Sequence, residues 1–286
     1  MPAAQVPKIS LDVAVELFIS PISLSNLKGS RFFKDPSELG LKYEENILGT
    51  IDGINLSSWY IPSRSDKAIV LCHEHGGDKS HMLKYAKFLN DYGFNIMMFD
   101  FRAHGSSSGE YFTHGYWECD DISAVVDNLV SRGIYNIGVL GVSSGAAISV
   151  LSSSDKRIRA LVVDSIYPSI EFMLRKWIDV EGFEVEDDYI DNILYRASVL
   201  TGADFSSLDP IDSIKKTDIP IMFAHGSRDR LVPIDEAVKI YAKANDPKEF
   251  LEVRGLHNHY LLNGINLQYE SAVSRFFMKI LGNVFI

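Results

Sequence analysis

Cysteine, positive charge and long apolar runs are all scarce in this 286-residue sequence. Cys72 and Cys119 are its only cysteines, so it offers neither a disulfide framework nor a CxxC metal site, and a reducing compartment fits this usage. The 28 lysines and arginines are outnumbered by 38 acidic residues and form no basic cluster. This balance argues against nucleic acid as a partner, because such binding needs clustered positive charge.

The longest apolar stretch near the N-terminus, residues 11–19, is interrupted by Asp12 and Glu16. It is too short and too acidic for a membrane-spanning helix or a secretion signal, so we expect a soluble, cytoplasmic protein. Its apolar residues have helical spacing, which predicts an N-terminal helical arm within residues 1–30. A lone helix cannot hide an apolar face, so this face is expected to pack on the body of the protein or to form a homodimer contact.

What the sequence has in quantity is apolar residues, 46% of the chain, arranged as short β-branched runs that alternate with amphipathic segments. This alternation predicts an α/β domain over residues 31–286, with a mostly parallel sheet and helices on both of its faces. An Asp52-Gly53 turn between residues 46–50 and 55–61 predicts an antiparallel hairpin at the sheet edge. The buried strands are predicted at 68–72, 95–99, 136–140, 160–163, 220–224 and 250–253, and helices at 80–92 (with Ser80 as N-cap), 116–130, 144–151, 234–244 and 269–281.

Residues 167–210 break this alternation, since they hold two amphipathic helical patterns between two strands. An insertion of this length between two strands, with helices of its own, is commonly a lid over a functional site. The apolar faces of such helices serve ordinary packing by default. Alternatively, residues such as Met173 and Trp177 also line an acyl pocket.

The segment 141–145 reads G-x-S-x-G, directly after one predicted strand and directly before a helix. This context suits a sharp turn that exposes the hydroxyl of Ser143 at the carboxyl edge of the sheet. A serine hydroxyl is a weak nucleophile and needs a base that a carboxylate orients. Asp229 follows the predicted strand 220–224 and His257 follows the predicted strand 250–253. Parallel strands bring these loops to the same sheet edge as Ser143, so we predict a triad of Ser143, Asp229 and His257.

The sequence from about residue 44 onward resembles the α/β-hydrolase superfamily, especially its compact esterases, monoacylglycerol-lipase-like and prolyl-oligopeptidase-like serine hydrolases. The resemblance is carried by G-x-S-x-G, by residues 226–233, which are similar to the family's G-x-x-D-x-x-V-P, and by residues 100–107, similar to D-x-R-G-x-G-x-S with Ala103 in place of a glycine. It implies an α/β-hydrolase fold with a short helical lid. The triad order Ser, Asp, His is also the family's order.

The family's His-Gly-x-x-Gly segment, which supplies half of the oxyanion hole, corresponds here to residues 73–77, His-Glu-His-Gly-Gly. If His73 is the matching histidine, Glu74 replaces a glycine and the backbone N–H of His75 pairs with that of Ser144. The other register makes Gly77 the donor. A carboxylate near a developing oxyanion is unfavourable, so we expect Glu74 to point away from it, held by Lys79, Arg102 or a neighbouring histidine.

Each assignment has an alternative. His259 competes with His257 as base and Asp164 competes with Asp229 as acid, whereas His225, Glu118 and Asp121 are expected to be structural. No motif such as H-E-x-x-H links His73, His75 and His104, so we expect no metal and no cofactor.

The resemblance and the triad together predict hydrolysis of a small carboxylic ester through an acyl-enzyme intermediate. A short-peptide peptidase or amidase, and a thioesterase, are the alternatives within the enzymes. A non-catalytic binding protein on the same fold is the alternative from another class, because a fold does not dictate activity.

Overall fold

The computed structural model describes residues 9–21, 33–186, 188–258 and 266–282. Within them, eight strands form one sheet, as the apolar runs predict. In chain order these are β1 (Glu44–Gly49), β2 (Asn55–Ile61), β3 (Lys67–Cys72), β4 (Asn95–Phe99), β5 (Asn136–Val142), β6 (Ile158–Asp164), β7 (Ile221–Gly226) and β8 (Lys248–Val253).

The sheet has the order β1-β2-β4-β3-β5-β6-β7-β8. Strands β1 and β2 form the predicted antiparallel hairpin, and β2 is also antiparallel to β4. All other neighbours are parallel, so their carboxyl ends meet at one edge. Strand β5 continues two residues beyond the prediction, because Gly141 pairs with Cys72 and Val142 with Asp164. Ser143 therefore comes directly after the last paired residue.

The helices of the described residues connect and cover this sheet. They are α1 (Leu11–Ile19), α2 (Leu83–Asp91), α3 (Glu118–Ser131), α4 (Ser144–Leu151), α5 (Ile170–Glu181), α6 (Tyr189–Thr201), α7 (Pro210–Lys216), α8 (Ile234–Lys243) and α9 (Leu267–Gly282). No helix in this part of the chain has both the length and the apolar character needed to cross a bilayer.

The prediction that Ser80 caps a helix over residues 80–92 is wrong at its beginning. Asp78 is the cap, and its carboxylate accepts the backbone N–H of Ser80 at 2.7 Å. It begins a single 3-10 turn, Lys79–Met82, which precedes α2. Aspartate outcompetes serine here because its ionised oxygen is the stronger acceptor for the free N–H groups of a helix start.

Apolar side chains alternate between the two faces of the sheet, as β-strand geometry requires. On one face they pack against α3, α7 and α8 through residues such as Val125, Ile214 and Ile240. On the other face they pack against α2 and α9 through Tyr85 and Phe277. Helices thus cover both faces, and the fold is the α/β-hydrolase fold that the sequence predicts.

A third apolar cluster joins the N-terminal helix to the 167–210 segment. Ala14, Val15, Phe18 and Ile19 of α1 are buried in it together with residues of α5 and α6. This confirms that the apolar face of α1 packs on the body of the same chain. A homodimer contact through this helix stays a prediction.

Candidate active site

The turn after β5 places Ser143 at the carboxyl edge of the sheet. Ser143 has φ 53° and ψ −114°, a conformation that L-residues rarely adopt, and its backbone N–H donates to the carbonyl of Asp164 at 2.8 Å. The turn is so close to β3 that a Cβ atom on Gly145 would collide with the carbonyls of Cys72 and His73. The second glycine of G-x-S-x-G is therefore a steric requirement of this turn.

Ser143, His257 and Asp229 form a continuous hydrogen-bonded chain. The Nδ1 of His257 lies 2.6 Å from Oδ2 of Asp229, and its Nε2 lies 3.0 Å from Oγ of Ser143. With a proton on Nδ1 facing the carboxylate, Nε2 is left to accept the serine hydroxyl proton. The structure thus brings the three residues of the predicted triad together in the predicted order.

The carboxylate of Asp229 is fixed on both oxygens. Its Oδ1 accepts the N–H groups of Leu231 at 2.9 Å and Val232 at 2.8 Å. Burial alone would raise the pKa of Asp229, but hydrogen bonds from His225 and His257 outweigh burial and hold that pKa well below its usual range. Asp229 is therefore an anion that can stabilise an imidazolium.

His225, expected from sequence to be structural, is fully buried directly behind this acid. Its Nε2 donates to the carbonyl of Val232 at 2.8 Å and lies 3.3 Å from Oδ2 of Asp229. Burial lowers the pKa of His225, but the bonds to Asp229 and Val232 raise it further than burial lowers it. Sequence reasoning missed this second partner of the acid, and the four-residue spacing between His225 and Asp229 was the only signal for it.

Asp164, the alternative acid, has a supporting position instead. Its Oδ2 accepts the hydroxyl of Tyr269 at 2.9 Å, and its Oδ1 accepts the hydroxyl of Ser165 at 3.0 Å. The oxygen of Ser165 in turn accepts the backbone N–H of Asn258 at 3.1 Å, next to His257. Asp164 thus supports the loop that carries His257, while Asp229 contacts His257 itself. His259, the alternative base, lies outside the described residues.

The 73–77 loop lies beside the start of α4. The N–H of Gly77 donates to the carbonyl of Glu74 at 3.1 Å, and the N–H of Gly76 donates to Nε2 of His104 at 3.2 Å. Among the described residues, the backbone N–H groups of His75 and Ser144 donate no hydrogen bond. The N–H of Gly77 is thus already in use, and the register with His75 as the oxyanion donor stays a prediction.

Glu74 is turned away into the protein, where its Oε1 lies 2.6 Å from Nδ1 of His81. Burial lowers the pKa of His81, but the carboxylate of Glu74 outweighs burial and raises it. The expected partner is thus a histidine, since Lys79 instead binds Asp100 at 2.6 Å. A Cβ atom on Gly77 would lie 2.8 Å from the Glu74 carboxyl carbon, so glycine at 77 makes room for this pair.

Arg102 is also engaged elsewhere, because its guanidinium binds Asp121 at 2.6 Å and Asp52 at 2.7 Å. Glu118 accepts the N–H groups of Thr113 at 2.8 Å and Gly115 at 2.7 Å. Burial raises the pKa of Glu118 to about 7. Both acids at the beginning of α3 thus hold neighbouring chain segments, as expected for structural residues.

Met173 and Trp177 lie half-buried on α5, where they pack on the apolar cluster shared with α1 and α6. The indole of Trp177 contacts the ring of Phe183, with centroids 6.2 Å apart. His73, His75 and His104 lie ring to ring, yet no three His, Cys, Asp or Glu residues within the described ranges are arranged to hold a metal ion.

Comparison with known proteins agrees with this fold. The family model described as serine aminopeptidase, S33 matches residues 63–165. The uncharacterised protein YfhR of Escherichia coli is 28% identical over 212 residues, 70% of this chain and 68% of that protein. The α/β-hydrolase domain-containing protein WAV2 of Arabidopsis thaliana is 27% identical over 82% of this chain and 79% of its own length.

Among solved structures, the esterase Pf2001 of Pyrococcus furiosus superposes with a TM-score of 0.75 at 24% identity, covering 92% of this chain and all of that one. With the sheet order, this likeness shows the α/β-hydrolase fold, and the family match over residues 63–165 makes the chain similar to α/β hydrolases. These likenesses support hydrolase activity.

Proposed function

We propose that this protein is a serine hydrolase that cleaves carboxylic esters through an acyl-enzyme intermediate. The observation that carries the proposal is the position of the His257 ring, 3.0 Å from Oγ of Ser143 and 2.6 Å from Oδ2 of Asp229. Ser143 attacks the ester carbonyl while His257 takes its proton and passes it to the leaving alcohol. Asp229 holds the ring orientation and stabilises the imidazolium.

In the second half of the reaction, a water molecule takes the place of the serine. His257 removes a proton from this water, which attacks the acyl carbon and releases the acid and the Ser143 hydroxyl. In both halves, the carbonyl oxygen becomes negative and needs donors that already point at it. The N–H groups of His75 and Ser144 supply them, the second one at the N-terminal end of α4.

Two observations bear on the substrate. The structural neighbour Pf2001 is an esterase, which favours esters, whereas the matching family model is described as a serine aminopeptidase, which favours a peptidase or amidase as the second candidate. A thioester would use the same residues. The test is a matched series of p-nitrophenyl esters and p-nitroanilides with the same acyl groups, in which the ester proposal expects the higher kcat/KM for the esters.

The decisive test of the chemistry is Ser143→Ala with Ser154→Ala as the control, because Ser154 is an exposed serine in the turn after α4. We expect Ser143→Ala to lose about 10⁴- to 10⁶-fold in kcat and to resist labelling by a fluorophosphonate, while Ser154→Ala labels like the parent. A loss below tenfold in folded Ser143→Ala refutes the nucleophile. A parent that neither labels nor turns over any ester, amide or thioester is a binding protein.

We further propose that residues 167–210, which carry α5 and α6, form a lid that sets acyl preference. The support is their place between β6 and β7, beside the sheet edge that carries Ser143. Trp177→Ala should shift the preferred chain length in the ester series while the kcat for the acetate ester stays within about threefold of the parent, because the acid–base residues are untouched. An unchanged chain-length profile assigns Trp177 to packing.

Cytoplasmic location remains an expectation from the scarce cysteines.

A further inference from the structure

The last turn of α1 is bound to the body of the protein by three successive carbonyl groups. The carbonyl of Phe18 accepts Nε2–H of His114 at 2.8 Å, and the carbonyl of Ile19 accepts the N–H of Phe112 at 2.8 Å. The carbonyl of Ser20 accepts Nε2–H of His75 at 3.2 Å. Two of these three donors are histidine side chains, and one of them belongs to the 73–77 loop.

The ring of His75 is held in a fixed orientation. It stacks on Phe112 with an interplanar angle of 10° and meets the rings of His104 and His114 edge-on. A carbonyl can only accept, so Nε2 must carry the proton that faces Ser20. Burial lowers the pKa of His75 to about 4, so the ring is neutral at physiological pH.

The backbone on both sides of His75 is also tied down. The carbonyl of Glu74 accepts both Nδ1–H of His73, at 2.7 Å, and the N–H of Gly77, at 3.1 Å. The N–H of Gly76 is held by His104. Because the peptide unit is planar, the two bonds to the Glu74 carbonyl also set the direction of the N–H of His75. The side chain of His75 fixes where this peptide lies relative to α1.

The opposite end of α1 is bound to the 167–210 segment. The hydroxyl of Tyr189 on α6 donates to the carbonyl of Ile9 at 2.8 Å, and Arg196 on α6 forms an ion pair with Asp12. Helix α1 therefore connects α6 to the 73–77 loop through hydrogen bonds at both of its ends.

We propose that the imidazole of His75 is a positioning residue, which anchors the 73–77 loop to the end of α1 and thereby holds the backbone N–H of His75 in its place beside the substrate oxygen. This inference rests on the proposed function, in which that N–H is an oxyanion donor. The N-terminal helix is then a component of the catalytic apparatus although it contributes no reacting atom.

The test uses two carboxamide variants that keep the backbone N–H and differ by one methylene. In His75→Gln the amide nitrogen can reach the place of Nε2 and bind Ser20, whereas in His75→Asn it is too short to do so. We expect His75→Asn to lose about 10- to 100-fold in kcat with KM within twofold, less than the 10²- to 10³-fold of removing an oxyanion donor outright. His75→Gln should stay within about threefold of the parent.

A transition-state analogue separates positioning from general stability. Affinity for a trifluoromethyl ketone should fall in His75→Asn by the same factor as kcat/KM, because its oxyanion uses the same donors. The matched control is Tyr60→Phe, which removes a buried hydrogen bond to Asn95 at the opposite edge of the sheet and should lower the midpoint of urea unfolding without changing kcat. If His75→Asn matches the parent in kcat and analogue affinity, the inference is wrong.

The inference is also wrong if Tyr60→Phe reduces kcat as much as His75→Asn for the same loss of stability, since that result assigns both effects to folding. If His75→Asn does not fold, His75→Gln decides alone, because a folded Gln variant with a tenfold loss of kcat contradicts the anchoring role. Failure of the proposed function is recognised separately, by turnover in Ser143→Ala.

Discussion

The two sides of Ser143 use histidine in opposite ways. On the acid–base side, His257 and His225 both approach the carboxylate oxygen Oδ2 of Asp229, at 2.6 Å and 3.3 Å. On the side of the 73–77 loop, four histidines bind backbone groups instead of carboxylates. These four are His73, His75, His104 and His114, and burial lowers the pKa of each.

The contrast follows from what each side must do. A base that gains a proton becomes a cation, and an adjacent carboxylate stabilises that cation where the dielectric constant is low. A loop that only presents N–H groups gains no proton, so neutral rings can fix it by donating to carbonyls and accepting from amides. Of these six histidines, the two beside Asp229 lie where a proton is transferred, and the four neutral ones lie where the geometry of a loop must be kept.

The largest expected effect tests whether the two histidines at Asp229 differ in role. His257→Ala should lose about 10⁴- to 10⁶-fold in kcat, as does loss of a triad histidine elsewhere. His225→Gln keeps a donor toward Val232 and should lose far less. Steady-state kinetics with a p-nitrophenyl ester measure both. Equal losses of kcat in the two variants would contradict this difference in role. A His257→Ala variant with the kcat of the parent would exclude His257 as the base.

A smaller effect concerns stability on the side of the 73–77 loop, where four buried histidines are neutral (the neutral side). Burial lowers the pKa of His114 to about 3, so the unfolded chain takes up a proton below about pH 6.5 that the folded state refuses until about pH 3. The parent therefore loses stability from this group as the pH falls. His114→Gln keeps a donor for Phe18 but cannot titrate, so relative to the parent it should gain about 2 kcal/mol between pH 7 and pH 5.

Urea unfolding of the two proteins at both pH values measures that difference. Because His81 and His225 have raised pKa values and act with the opposite sign, the difference between variant and parent is the relevant quantity. Parallel pH curves for parent and variant would show that His114 is not the neutral, buried group described above.

The smallest effect is expected from the carboxylate–histidine pair that the neutral side does contain. Glu74→Gln preserves shape but removes the charge that raises the pKa of His81, and should cost about 1 kcal/mol at pH 6. A raised histidine pKa stabilises the fold below the unfolded value and ceases to do so as the pH rises through the folded value. The difference from the parent should therefore shrink by pH 9.

The exposed Glu110 offers a matched control, since Glu110→Gln removes an equal charge from the surface and should leave stability nearly unchanged. A rise of kcat in Glu74→Gln would mean that the carboxylate opposes the oxyanion instead of fixing the loop. A variant equal to the parent in both stability and kcat would leave Glu74 without a role in the site.

The sequence alone was sufficient for the sheet and for the candidate acid–base residues. Apolar runs have a local period, and a serine between two glycines after such a run requires only the strand before it and the helix after it. Asp229 and His257 could be placed because parallel strands carry their following loops to one edge. The prediction that a helix begins with Ser80 as its N-cap was wrong for a local reason, since Asp78 is the stronger cap.

Only the tertiary structure decided how these residues are supported. The contact between Glu74 and His81 needed the turn at Gly77, and the position of His225 behind Asp229 needed the fold of the loop after β7. The bond from His75 to Ser20 joins residues 55 positions apart. Such contacts leave no periodic pattern in the sequence, because they depend on where separate elements pack in space and not on the spacing of residues within one of them.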